Sequence, residues 1–117
     1  MLPLLVAVLL SQPSDPSILT VPVVSQHEAV QYEWLDKLSF CESSNRVNLK
    51  TLDTNNHYSY GLYQFQMRTW SNYKELGTTQ ENIYDPVLQR LVAKHILDRG
   101  GQNNWYICSK RIGNYPI

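Results

Sequence analysis

Pro13, Pro16 and Pro22 fall within ten residues of one another, among Ser, Asp and Val. Each proline fixes φ and removes a backbone donor. Ser11 to Gln26 therefore cannot be helical and reads as an extended, exposed tether. Any compact domain is confined to residues 27–117, about 90 residues, a size that is marginally stable without a cross-link. Ten Lys and Arg balance ten Asp and Glu, so no basic field exists to neutralise phosphates, and nucleic acid is excluded as a partner on that ground. With 43% hydrophobic and 17% charged residues, the chain has the composition of a folded domain rather than a disordered one.

Residues 2–10 are entirely apolar. Nine residues fall far short of the roughly 20 that span a bilayer as a helix, but match the apolar region of a signal peptide. No Lys or Arg precedes the run, and no small-x-small cleavage site follows it. It reads as a signal peptide, as the tail of a longer anchor, or as an apolar strand packed on the domain. The lack of polar and apolar alternation speaks against the strand. The expected organisation is a signal or anchor segment over 1–11, a Pro/Ser linker over 12–26 and one domain over 27–117. Such a chain is expected to be secreted or held in the cell envelope as a monomer, touching membrane only through its amino-terminal segment.

The chain has two cysteines, Cys41 and Cys108, 67 residues apart. In an exported protein an even count favours a disulfide; in a reducing compartment the same pair would be two buried thiols. Closing that loop would stabilise the domain by roughly 4 kcal/mol in the chain-entropy model. With His27, His57 and His95 scattered, the cysteines match no metal-ligand spacing, so neither a metal nor a cofactor is expected.

Apolar periodicity predicts a mostly α-helical α+β domain. Val30, Trp34, Leu38 and Cys41, widened by Leu35, mark a helix over about His27–Glu42 that Ser43, Ser44 and Asn45 end. Residues 46–60 lack helical period and read as a loop or a short, poorly formed hairpin. A second helix is expected over about Phe65–Leu76, stopping at Gly77. Asp85 and Pro86 open the clearest helix, with Leu88, Leu91, Val92 and Ile96 on its buried face and Gly100 and Gly101 at its end. Trp105, Cys108 and Ile112 mark a last short helix. Trp34, Trp70 and Trp105 all fall on such stripes and are expected in the core. Among eight tyrosines, Tyr58, Tyr60 and Tyr63 cluster where they could meet a polar ligand. His57 reads as a solvated loop residue.

Glu42 is the sharpest candidate for chemistry. It closes an apolar-striped helix, directly after Cys41 and before a polar loop, which places a carboxyl at the rim of the core. Burial raises a carboxyl pKa, and a carboxyl that keeps its proton near neutral pH can act as a general acid. The plainer reading is a surface Glu, although the helix dipole disfavours an anion at that end.

Cys41-Glu42-Ser43-Ser44-Asn45, then Ser59-Tyr60-Gly61-Leu62-Tyr63-Gln64-Phe65, then Thr69-Trp70, resemble the lysozyme superfamily. The likeness is closest to soluble lytic transglycosylases and to the catalytic domain of resuscitation-promoting factors. In that second group a Gln-x-x-x-Ala helix and a Trp-x-x-Cys segment follow, matched here by Gln89 to Ala93 and Trp105 to Cys108. The similarity runs from about Leu38 to Gly113. It implies a lysozyme-like fold whose cleft is formed by the irregular hairpin, and cleavage of peptidoglycan glycan strands. Glu42 matches the catalytic acid. Ser43 matches its Ser neighbour, expected to orient the carboxyl. Gly61, Leu62 and Gln64 match the cleft segment, with Tyr63 where many transglycosylases have Met. Thr69 matches a substrate-contacting Thr; Tyr60 is placed with the substrate-binding residues. Asn114-Tyr115 is a poor substitute for a further cleft Tyr.

Asp53 is the one acidic residue between Glu42 and Gly61. It reads either as a cleft carboxylate near the positive charge that develops on the sugar, or as an Asx-turn residue beside Thr54, Asn55 and Asn56. The implied chemistry uses one carboxylate. Glu42 protonates the glycosidic oxygen between N-acetylmuramic acid and N-acetylglucosamine, then accepts a proton from the muramic 6-hydroxyl (a lytic transglycosylase) or from water (a muramidase). The alternative is a non-catalytic peptidoglycan-binding or signalling module on the same scaffold.

Overall fold

A computed structural model describes residues 24–117. The amino-terminal apolar run and most of the linker lie outside the described residues.

The first helix, α1 (Gln26–Ser43), begins at a capping box: Ser25 accepts from the Glu28 N–H at 3.0 Å, and the Glu28 carboxylate takes the Ser25 N–H. It ends where the sequence reading placed its stop. Ser44 and Asn45 both take left-handed backbone angles, φ 54° and 61°, and the Ser44 N–H closes on the Phe40 carbonyl. Three short antiparallel strands follow, β1 (Lys50–Leu52), β2 (Tyr58–Tyr60) and β3 (Phe65–Gln66), paired in that order, with Thr51 opposite Ser59 and Ser59 opposite Gln66. The expected poorly formed hairpin is thus a real β1–β2 hairpin with a third strand at its edge.

Phe65 and Gln66 belong to that edge strand and not to the second helix. Helix α2 spans only Met67–Trp70 and runs on as a 3₁₀ turn, Ser71–Leu76, to Gly77 at φ 101°. Helix α3 (Pro86–Asp98) is capped by Asp85, whose carboxylate accepts from the Val87 and Leu88 N–H groups at 3.0 and 3.2 Å. A 3₁₀ turn, Gln102–Trp105, leads into α4 (Tyr106–Ile112). The fold is therefore α+β, with four α-helices and one small antiparallel sheet among the described residues.

The core joins Trp34, Leu35 and Leu38 of α1 to Val92, Ala93, Ile96 and Leu97 of α3, with Trp70 and Trp105 buried as expected. Phe65 sits between those two tryptophans, 5.1 Å from the Trp70 ring and 5.7 Å from the Trp105 ring. Two expected core residues are not in it. Val30 is 41% exposed and Leu91 54% exposed, whereas Gln31 and Gln89 on the same two helices are buried. The rest of both stripes is in the core or against it, and a pattern built on apolar side chains alone passes over the two glutamines.

Gln89 repays its burial with three hydrogen bonds. Its carbonyl oxygen accepts the Tyr63 N–H at 2.7 Å, and its amide donates to the Tyr60 and Ile83 carbonyls at 2.8 and 2.5 Å. Gly61 lies against this amide: a Cβ there would stand 2.5 Å from Gln89 Nε2, and its φ is +79°. The chain from Tyr60 to Tyr63 is thereby clamped to α3. Cys41 and Cys108 form a disulfide with a Cα–Cα distance of 5.9 Å, which ties the end of α1 to α4.

Two predictions follow from these ties. Cys41→Ser with Cys108→Ser is expected to lose about 4 kcal/mol of unfolding free energy in a denaturant titration, from the 67-residue loop it reopens. Gln89→Leu strands three buried backbone groups and is expected to cost at least about 3 kcal/mol by the same measurement.

Candidate active site

The groove beside the hairpin has a volume of about 450 Å³, within the roughly 300–1,000 Å³ range of ligand sites. Glu42 reaches it from the end of α1. One side is mostly polar: Asp53, Ser59, Gln64, Gln66 and Thr69, with Phe65 among them, from the hairpin, the β2–β3 turn, β3 and α2. The other wall is Asn104, Trp105, Tyr106 and Ile107, at the start of α4. Cys41 precedes Glu42 and Cys108 follows Ile107, so the disulfide ties the Glu42 end of α1 to the α4 wall.

The Glu42 carboxyl is half-buried, and its pKa is pushed up from 4.5 to about 7. Burial is the main cause, because a low-dielectric rim disfavours the charged form; the neighbouring Asp53 adds to it by like-charge repulsion. Asp53 is fixed in place by two donors, the Ser59 hydroxyl and the Gln66 amide, the latter at 2.7 Å. Asp53 lines the same cavity as Glu42 and also opens the turn in which the Asn56 N–H bonds its carbonyl.

The other expected site residues separate into two groups. Gln64 and Thr69 line the groove. Gln64 does so at a left-handed backbone angle, φ 56°, which is unusual away from glycine. Its amide donates to the Gly61 and Leu49 carbonyls and its oxygen accepts from Thr51, so much of its hydrogen-bonding capacity holds the hairpin in shape.

Ser43, Tyr60, Gly61 and Tyr63 do not line this groove, contrary to expectation. Ser43 is buried, and its hydroxyl turns inward to the Ser39 and Leu62 carbonyls, away from the role of orienting Glu42. Tyr63 is fully buried. Its hydroxyl donates to the Leu35 carbonyl at 3.2 Å and accepts from Arg90 at 3.3 Å, so it is a core residue. The close approach that Gly61 permits is to Gln89 and not to a ligand. Tyr60 packs edge-on against Tyr84 and lines a separate, smaller cavity with His57 and Tyr58. Tyr115 is also buried, bonded to Asp98.

Sequence reasoning missed Gln66 and the Tyr106–Ile107 wall. Gln66 is reached only through the β2–β3 pairing that sets it opposite Ser59, which the residues alone do not announce. Nothing in the pattern around Trp105 marked Tyr106 and Ile107, which are 58% and 68% exposed. Among the described residues there is no cluster of three or more His, Cys, Asp or Glu side chains that could hold a metal ion.

The chain matches no family model, no curated protein and no solved structure.

A carboxyl whose pKa is raised on folding leaves a mark on stability. Between pH 4.5 and about 7 the folded chain keeps a proton that the unfolded chain has lost. Stability therefore falls through that window as pH rises. Glu42→Gln removes the titration. The variant is expected to match the parent chain near pH 4 and to exceed it at pH 8, by on the order of 2 kcal/mol after screening at this half-buried position. Thermal melts across pH 4–8 would show parallel curves if the proton affinity of Glu42 were ordinary.

Proposed function

We propose that this chain is a peptidoglycan-cleaving glycosidase of lysozyme-like type, acting on the β-1,4 bond between N-acetylmuramic acid and N-acetylglucosamine. The observation that carries the reading is a single carboxyl, Glu42, half-buried in a groove of ligand size with its pKa near neutrality. The order of motifs from Cys41 to Cys108 supports it, as does the disulfide between the two ends of that series.

In this mechanism the protonated Glu42 gives its hydrogen to the glycosidic oxygen while the bond from that oxygen to the muramic C1 breaks. Positive charge develops at C1. The 2-acetamido group of the same sugar shields it, and the Asp53 carboxylate, lining the same groove, favours it electrostatically. Glu42, now ionised, accepts the proton of the muramic 6-hydroxyl as that oxygen bonds to C1, and a 1,6-anhydro end results. An internal nucleophile needs no ordered water and gains effective molarity. If water replaces the 6-hydroxyl, the same proton transfers yield a reducing end. Asp53 has no nucleophilic part in this scheme, in which the 6-hydroxyl or water attacks C1; its Oδ2 accepts from Ser59 and Gln66, which hold the carboxylate in place.

Purified cell-wall sacculi provide the test. Glu42→Gln retains the shape of the groove and lacks the transferable proton, so release of soluble muropeptides is expected to fall by roughly 10²–10⁴-fold while sacculus binding persists. In the parent chain the rate should decline about tenfold per pH unit above pH 7, as Glu42 loses its proton. Mass spectrometry of the products separates anhydro from reducing ends. Equal release by the variant would remove Glu42 from the chemistry and leave a glycan-binding module.

A further inference from the structure

A second cavity, of about 180 Å³, lies beside the groove, and Gln66 borders both. Strand alternation explains why their linings differ. On β2, Ser59 turns toward the groove, while its neighbours Tyr58 and Tyr60 turn to the other side and line the second cavity with His57, Met67 and Arg68. At about 30 Å³ for each water in the liquid, the space equals some six waters, room for one amino-acid-sized unit.

The charge of the second cavity is opposite to that of the groove. Glu42 and Asp53 line the groove, whereas Arg68 lines the cavity and no Asp or Glu does. A further cation stands at its aromatic wall: Lys50 Nζ is 4.3 Å from the centre of the Tyr58 ring and 5.7 Å from that of Tyr60. The ion pairs among the described residues are Arg90–Asp36 and Lys94–Asp98, so Arg68 is not held by an acidic partner there. An unpaired guanidinium presents a planar fork that suits a carboxylate, and two tyrosine rings beside it suit the apolar body that carries the carboxylate.

We propose that this cavity is a second binding site, for a carboxylate-bearing peptide branch of the glycan strand whose sugars occupy the groove; the identity of that strand rests on the glycosidase reading. The carboxylate pairs with Arg68 within the added field of Lys50, and the branch packs against Tyr58 and Tyr60. It leaves its sugar beside Gln66, the residue common to both cavities. The site selects strands that carry acidic peptides over bare glycan.

The test uses the full chain carrying Glu42→Gln, which does not cut its ligand. Its Kd is measured for purified glycan strands with their peptide stems and for the same strands stripped of stems by an amidase. The stem-bearing strands are expected to bind about tenfold tighter, the size of one charge-assisted contact. Adding Arg68→Gln is expected to abolish that difference while affinity for bare strands stays within about twofold. Equal affinity for both strands, or a loss on Arg68→Gln shared equally by both, overturns the proposal.

Binding of neither strand would count against the glycosidase reading, and the cavity is then judged by free stem tripeptide alone. Ring resonances of Tyr58 and Tyr60 that shift on titration with the tripeptide, and stay still in Arg68→Gln, uphold a carboxylate site. Resonances that stay still in both proteins, or that answer to inorganic phosphate and not to the tripeptide, overturn it.

Discussion

A single buried amide, that of Gln89, sets the relation between the sheet and the helices. It lies in the dry interior on α3 and engages the backbone of Tyr60, Tyr63 and Ile83. An unpaired amide would be costly there, so the three bonds form together or the packing is lost. Because Tyr60 ends β2 and Tyr63 precedes β3, this clamp fixes the turn between the strands that wall the groove. Gly61 is required at the clamp for a steric reason, since any side chain would collide with the amide. The hairpin is too short to hold itself, with strands of three, three and two residues; isolated hairpins of this kind are marginal in water. Its order is borrowed from α3.

The second constraint is covalent. The end of α1 carries Glu42, and the start of α4 carries Tyr106 and Ile107, and the Cys41–Cys108 bond joins these ends. Clamp and cross-link thus act on the two walls of one groove, and Glu42 sits where they converge. A carboxyl in that position is half removed from water without being enclosed. The site trades stability for proton affinity: the groove that raises the pKa of Glu42 disfavours its charged form at neutral pH.

Much of the fold was legible because local rules and tertiary packing agree. Asp85-Pro86 opens α3, and the Ser43–Asn45 run closes α1, as capping chemistry requires. The three tryptophans lie in the core, each with its indole N–H bonded to a backbone carbonyl. Tertiary context overrode local preference elsewhere. Phe65 and Gln66 were drawn into an edge strand by pairing with Tyr60 and Ser59, which no helical count reveals. Buried Gln31 and Gln89 are invisible to an apolar-stripe search, because their burial depends on backbone partners far away in the chain.

The amino-acid sequence by itself determined where helices start and stop, which cysteines could pair and that Glu42 ends a helix at the edge of the core. Those are properties of neighbours along the chain, decided by capping, periodicity and charge. Only the tertiary structure decided which side chains face the groove. It turned Tyr63 and Ser43 inward, set Tyr60 in a separate cavity and brought Asp53 to the same space as Glu42. The physical reason is that exposure and proton affinity arise from long-range neighbours: Glu42 acquires a near-neutral pKa from burial and from an acid eleven positions on, held there by Ser59 and Gln66.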